Sequence, residues 1–161
     1  MARTASRHAG FTLVELLVTV TIVGILATVA VPMVELTVRR TKEQQLRADL
    51  RSIRIAIDEY RRAVDDGRIS VPANASGYPR SLSVLVEGAD NIKDPNKGRL
   101  YFLRRLPRDP MSADATADAA DTWGKRSSAS PADDPQPGED VFDVHSMAKG
   151  AGLDGVPYRD W

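Results

Sequence analysis

Gly10-Phe11-Thr12-Leu13-Val14-Glu15 opens an apolar run in which Glu15 is the one early charge, and the stretch from Leu16 to Val34 contains no charged residue. As a helix rising about 1.5 Å per residue, that uncharged stretch reaches about 28 Å, enough for a hydrocarbon core about 30 Å thick. It predicts a membrane-spanning helix with a carboxylate just inside one end. A charge costs about 2.5–3.5 kcal/mol near the centre of such a helix and less toward the interface, so Glu15 is a functional candidate in need of a partner.

Outward from this stretch, Met1 to Gly10 holds Arg3, Arg7 and His8 and no acid, a short basic leader suited to the cytoplasmic side. An ordinary cleaved secretory signal fits poorly. Glu15 interrupts its apolar region, the run exceeds the usual length of about 7–15 residues, and no Ala-x-Ala site closes it. A plain uncleaved anchor helix stays open as an alternative. Gly24 and Pro32 lie inside the run; proline has no N–H and crowds the carbonyl four residues back, which predicts a weakened or kinked helix near Thr28. Flanking charge favours a cytoplasmic C-terminal part, because Arg39, Arg40 and Lys42 outnumber Arg3 and Arg7.

Beyond the span, Leu46, Leu50, Ile53, Ile57, Tyr60 and Val64 recur at alternating spacings of four and three, while Arg47, Asp49, Arg51, Arg54, Asp58 and Arg61 take the other faces. This is an amphipathic helix lying on a small soluble core. Asp65-Asp66-Gly67 offers its stop, with Gly67 suited to a left-handed cap. An unbroken helix from Phe11 to Val64 is about 80 Å long. Downstream, Leu82, Leu85 and Val86 predict a two-turn helix ending near Gly88. Strands are predicted at Arg99 to Leu103, weakly around Trp123, and at Asp140 to His145. Ser112 to Glu139 is rich in Ala, Asp, Ser and Pro and reads mostly as loop. The expected fold class is therefore α+β, a long N-terminal helix, half transmembrane and half amphipathic, packed on a small antiparallel sheet.

The 161-residue chain has zero formal net charge and no cysteine. Neutrality argues against a nucleic-acid partner; the local run Arg99, Arg104, Arg105 and Arg108 reads as a solvated face. No glycine-rich phosphate loop, nucleotide fingerprint or Cys/His metal spacing is present. His145-Ser146 lacks the glycines of a nucleophile elbow, so the chain does not read as an enzyme.

The segment from Gly10 to Glu15, with a basic leader before it and an apolar helix after it, resembles the prepilin motif of type IV pilins and type II secretion pseudopilins. The resemblance implies a leader of residues 1–10, a transmembrane helix over 11–38 and a periplasmic pilin-like domain over 39–161, against the flanking-charge count. It implies that a prepilin peptidase cuts between Gly10 and Phe11 and methylates the new terminus. Glu15 then neutralises the terminal amine of a neighbouring subunit, and Pro32 borders a segment able to unwind in a filament, with Gly24 adding backbone freedom to the same helix. The physics is compatible, because opposite charges in a low-dielectric setting favour pairing strongly.

Tyr78-Pro79, Leu106-Pro107-Arg108-Asp109-Pro110, Trp123-Gly124, Gly138-Glu139-Asp140-Val141-Phe142-Asp143 with Ser146, and Trp161 extend the likeness to the major pseudopilin of type II secretion. Ser112 to Asp121 looks like an insertion. That likeness implies a homopolymeric pseudopilus in contact with the inner-membrane secretion platform, and one calcium ion near the C-terminus in place of a disulfide. Asp154, Asp160 and Ser146 are its candidate ligands, with Asp143 and carbonyls around Leu153. Lys149 and Pro157 stand where the family pattern has acids, and Asp154-Gly155 is equally a turn dipeptide. Two other roles compete with the pseudopilus subunit: a type IV pilin, and a membrane-anchored periplasmic binding module that never polymerises.

Overall fold

The computed structural model describes residues 11–161; the leader and Gly10 of the expected cleavage site lie outside the described residues. Its longest element is helix α1, Leu13–Asp65, assigned without interruption through Thr28 and Pro32, so the proline does not break it. The chain divides at Arg39/Arg40 into two compact units.

The part of α1 before Arg40 carries apolar side chains all around, with Leu13, Leu16, Val20, Val23, Leu26 and Met33 all more than half exposed. A helix apolar on every face needs lipid or other helices around it. Among the described residues, α1 is the one helix long and apolar enough to cross a membrane. Hydroxyls within this stretch donate back to carbonyls of the preceding turn, Thr19 to Leu16, Thr21 to Leu17 and Thr28 to Ile25 at 2.7–2.9 Å, so they add no unpaired polar group.

In the second unit the amphipathic half of α1 supplies the core. Leu46, Leu50, Ile53, Ile57 and Tyr60 are buried as the spacing predicts, joined by Ala56 and Ala63 from the same face. The helix ends as the sequence suggests: Gly67 takes φ +65°, its N–H donates to Val64 O, and the Arg68 N–H donates to Ala63 O, both at 2.8 Å. That pair of bonds is a Schellman cap and satisfies carbonyls the helix leaves orphaned.

Against this face pack α2 (Val84–Glu87), the paired strands β1 (Ala89–Asp90) and β2 (Arg99–Leu100), and the paired strands β3 (Trp123–Arg126) and β4 (Asp143–Ser146). The layout is α+β, with two separate two-stranded antiparallel sheets. Leu82, Leu85, Trp123, Val141, Val144 and Tyr158 complete the core. Two edge-on aromatic pairs, Tyr60 with Phe102 and Tyr78 with Phe142, close its flanks at centroid distances of 5.4 and 4.9 Å.

Several expected elements are shorter than the pattern suggests. The second helix is one turn, capped by Gly88 at φ +81°. The strand expected over Arg99 to Leu103 stops at Leu100, because the N–H groups of Phe102 and Leu103 both donate to Leu85 O. The last strand begins at Asp143 and not at Asp140, since the Val141 N–H donates to Pro79 O. In each case the chain turns to satisfy a donor on a neighbouring segment. The pairing of Ala89 and Asp90 as β1 has no counterpart in the sequence reading.

Candidate functional site

Helix α1 begins at Leu13, which makes Thr12 its N-cap and puts Glu15 on the third helical position. The Thr12 hydroxyl accepts from the Glu15 N–H at 3.2 Å. In return Glu15 Oε2 accepts from the Thr12 N–H at 3.2 Å and the Thr12 hydroxyl at 3.1 Å. This is a capping box, in which two orphan donors of the first turn are satisfied reciprocally. The helix dipole also favours a carboxylate at this end. Thr-x-x-Glu ahead of an apolar run is a sequence signal for such a cap, and the sequence reading missed it. Both donors from Thr12 fall on one oxygen, and a carboxylate offers about four acceptor positions, so the cap leaves capacity for a further donor.

Phe11 precedes the cap and is exposed. Gly24 has no atom within 4 Å of where a side chain would begin, so the isolated chain gives no packing reason for glycine there.

The three residues expected near a calcium ion have separate partners. Ser146 is fully buried; its hydroxyl donates to Asp109 Oδ2 at 2.5 Å and accepts from the Ala148 N–H at 3.1 Å. Asp109, itself buried, also accepts from the Met111 N–H at 2.7 Å, and its own N–H donates to Thr122 Oγ1 at 3.1 Å. Asp154 is ion-paired with Arg47 and accepts from the Val156 N–H at 3.0 Å. Asp160 lies 3.4 Å from Arg159. Asp143 accepts from Arg54 Nε at 2.7 Å. Among the described residues no group of three or more acidic or histidine side chains is placed to hold a metal ion.

Ser146 and His145 point to opposite faces of β4, and the hydroxyl proton of Ser146 goes to Asp109. The half-buried His145 ring lies where a side chain on Gly124 would intrude. Burial pushes its imidazole pKa down, and nearby Asp143 opposes that.

Of the basic run, Arg99 pairs with Asp90 at 3.4 Å and donates to Gly88 O, while Arg108 donates to the carbonyls of Ala117 and Asp114. These arginines tie down loops. Glu43 was overlooked on sequence, although three residues before Leu46 it extends the apolar stripe with a charge. It is buried and accepts from the Leu153 N–H at 3.0 Å and the Tyr158 hydroxyl at 2.8 Å.

Comparison with known proteins bears on the N-terminal segment first. Residues 5–31 match the family model described as the prokaryotic N-terminal methylation motif. Over 108 residues the chain is 31% identical to the type II secretion system core protein G of Klebsiella pneumoniae, covering 67% of this chain and 72% of that protein. The protein of the same name from Pseudomonas aeruginosa is 32% identical over 105 residues, 65% of this chain and 68% of the relative. That of Vibrio cholerae is 30% identical over 111 residues, with 67% and 68% covered. No solved structure matches the chain. With the methylation motif laid over the capping box and the apolar helix, and the core protein G likeness running on into the domain, this chain belongs to the type II secretion system core protein G family.

Proposed function

We propose that this chain is a structural subunit of a periplasmic pseudopilus that helps drive protein secretion, held in the inner membrane by the first part of α1 until it is assembled. The observation that carries this reading is the N-terminal segment itself: a methylation motif whose glutamate is presented at the first turn of an exposed apolar helix. A prepilin peptidase cuts after Gly10 and leaves a methylated Phe11. Glu15, held by Thr12 in the stored subunit, then receives the cationic terminal amine of a neighbour. In lipid each of those charges is costly alone, so pairing them both guides assembly and removes the penalty. The polymer is built from copies of this chain, works with the inner-membrane secretion platform, and has the unit after Arg39 on the periplasmic side. Its role is mechanical and needs no catalytic group or nucleic-acid partner.

The mature N-terminus, measured by mass spectrometry on chain recovered from cells, tests the reading. Expected is a species beginning at N-methylated Phe11; an intact leader in cells that contain the peptidase overturns it. Glu15→Ala should still be cut and inserted but should not yield pseudopili, and normal polymer from that variant removes the pairing role.

A further inference from the structure

The segment from Met147 to Trp161 has no cysteine to close it, and its residues do not fit the calcium ion that the family resemblance implies. Both carboxylate oxygens of Asp154 have protein partners, one the Arg47 guanidinium and the other the Val156 N–H. A divalent cation at Asp154 would sit beside a fixed positive charge. Ser146 faces the interior and serves Asp109, and Asp160 pairs with Arg159 at the surface.

We propose that α1 closes this segment itself, with Glu43, Arg47 and Arg54 as a side-chain clasp that replaces a bound cation. The three residues are four and seven apart, which places them along one side of the helix. Glu43 is the buried end: it takes the Leu153 N–H at 3.0 Å and the Tyr158 hydroxyl at 2.8 Å, anchoring the loop at two points. Arg47, one turn on, pairs with Asp154 and stacks 4.2 Å from the centroid of the Trp161 ring. Arg54 donates to Asp143 Oδ1 at 2.7 Å, Val144 O at 3.0 Å and Trp161 O at 2.7 Å, joining β4 to the last residue.

The segment is shaped to meet the clasp. Ala151 and Pro157 form an antiparallel bridge, the Gly152 N–H donates to Val156 O at 2.8 Å, and Gly155 turns the chain at φ +83°. A side chain on Gly152 would collide with the Trp161 ring and Asp154, so glycine is required for the tryptophan to lie down under Arg47. Asp154-Gly155 is thus a turn whose acid faces an arginine, and a chelating loop has no place in it.

The test uses the full chain in detergent micelles, melted by tryptophan fluorescence in about 1 mM calcium or in excess chelator, a concentration that fills weak extracellular-type sites. Expected is the same midpoint in both to within about 1 °C, with the Leu153 amide equally protected from hydrogen exchange. Glu43→Ala and Arg47→Ala should lower the midpoint by about 5–10 °C and about 2–5 °C respectively and speed exchange at Leu153. A calcium-dependent rise of more than about 5 °C, or stoichiometric calcium uptake in calorimetry, overturns the proposal. So does unchanged Leu153 exchange in both variants. If Glu43→Ala does not fold, the wild-type exchange pair and the exposed Arg47 variant still decide.

Discussion

Replacing Ser146 by alanine removes one oxygen atom from the interior, and its effect can be worked from the partners that oxygen serves. Ser146 is fully buried and Asp109 is 3% exposed, so neither has water at hand. The substitution leaves Asp109 Oδ2 without its 2.5 Å donor and the Ala148 N–H without its acceptor. A hydrogen bond to a charged group contributes about 1.5–3 kcal/mol, and the half-buried Ala148 amide left without its acceptor adds up to about 1 kcal/mol, giving about 3 kcal/mol in all. For a unit of about 120 residues each kcal/mol moves the midpoint by about 3–5 °C, so Ser146→Ala should melt about 10 °C lower. Thermal unfolding of the full chain, followed by near-ultraviolet circular dichroism, reads this directly. Ser52→Ala, an exposed serine on α1, is the control and should be neutral or slightly stabilising because alanine is the better helix former. A fall of less than about 2 °C for Ser146→Ala is incompatible with a buried hydrogen bond of this strength. It would mean that Asp109 finds another donor and that the buried cluster does not hold Leu106 to Pro110 against β4.

Three further outcomes follow from other parts of the chain. Burial pushes the Asp140 carboxyl pKa up, but hydrogen bonds from Ser128, Ser76 and Ser127 outweigh it and hold it at about 2. Its folded pKa is therefore depressed, so its contribution of about 2 kcal/mol is present above about pH 4 and is lost as pH falls through about 2. Asp140→Asn should flatten the stability profile between those values, as followed by urea unfolding at stepped pH. Leu46→Ala, at a fully buried site, should cost about 2–5 kcal/mol in the same assay, whereas Ile55→Ala, half exposed on the same helix, should cost less than about 1 kcal/mol. Pro32→Ala should insert normally in membrane fractionation but alter pseudopilus yield or length by electron microscopy; unchanged polymer would remove the unwinding role that the resemblance implies for it.

What the sequence reveals depends on how local the determining physics is. The stripe from Leu46 to Tyr60 is legible because helical period alone decides which side chains share a face, and the core is built on that face. The stop at Gly67 is equally local, since a left-handed cap needs only glycine at the right offset. The short strands are not local. Arg99 to Leu103 has strand-forming residues throughout, yet Phe102 and Leu103 give their N–H groups to Leu85, a partner set by tertiary contact. At the candidate site the N-terminal motif is readable, and the Thr12-x-x-Glu15 spacing of its capping box is a local signal of the same kind. The metal candidates near the C-terminus, Asp154, Asp160 and Ser146, rest on the family resemblance alone, and no local pattern decides whether their oxygens face a cation. Only the structure brings Arg47 to Asp154 and Asp109 to Ser146, contacts spanning 107 and 37 residues.

The capping box changes what a lone glutamate in a membrane helix means. An unpaired carboxylate at that depth would be a standing penalty that any neighbouring cation relieves, and pairing would then be indiscriminate. Here Thr12 supplies two donors to Oε2 and leaves Oε1 open, so under the proposed pairing an incoming amine competes with any ordinary donor for that oxygen and must offer more than one. A full positive charge in low dielectric does, because charge-assisted hydrogen bonds are about twice as strong as neutral ones. Thr12→Val removes the hydroxyl but keeps the backbone N–H. It should fray the first turn, at a cost of about 1 kcal/mol, and leave Glu15 open to partners other than the neighbour's terminus. Site-specific crosslinking between positions 11 and 15 of separate copies reads that choice. Under this argument the variant still pairs but loses selectivity, giving crosslinks even where the neighbour's leader is uncut. If crosslinking continues to require a cut neighbour, the cap has no part in discrimination and charge alone sets the pairing.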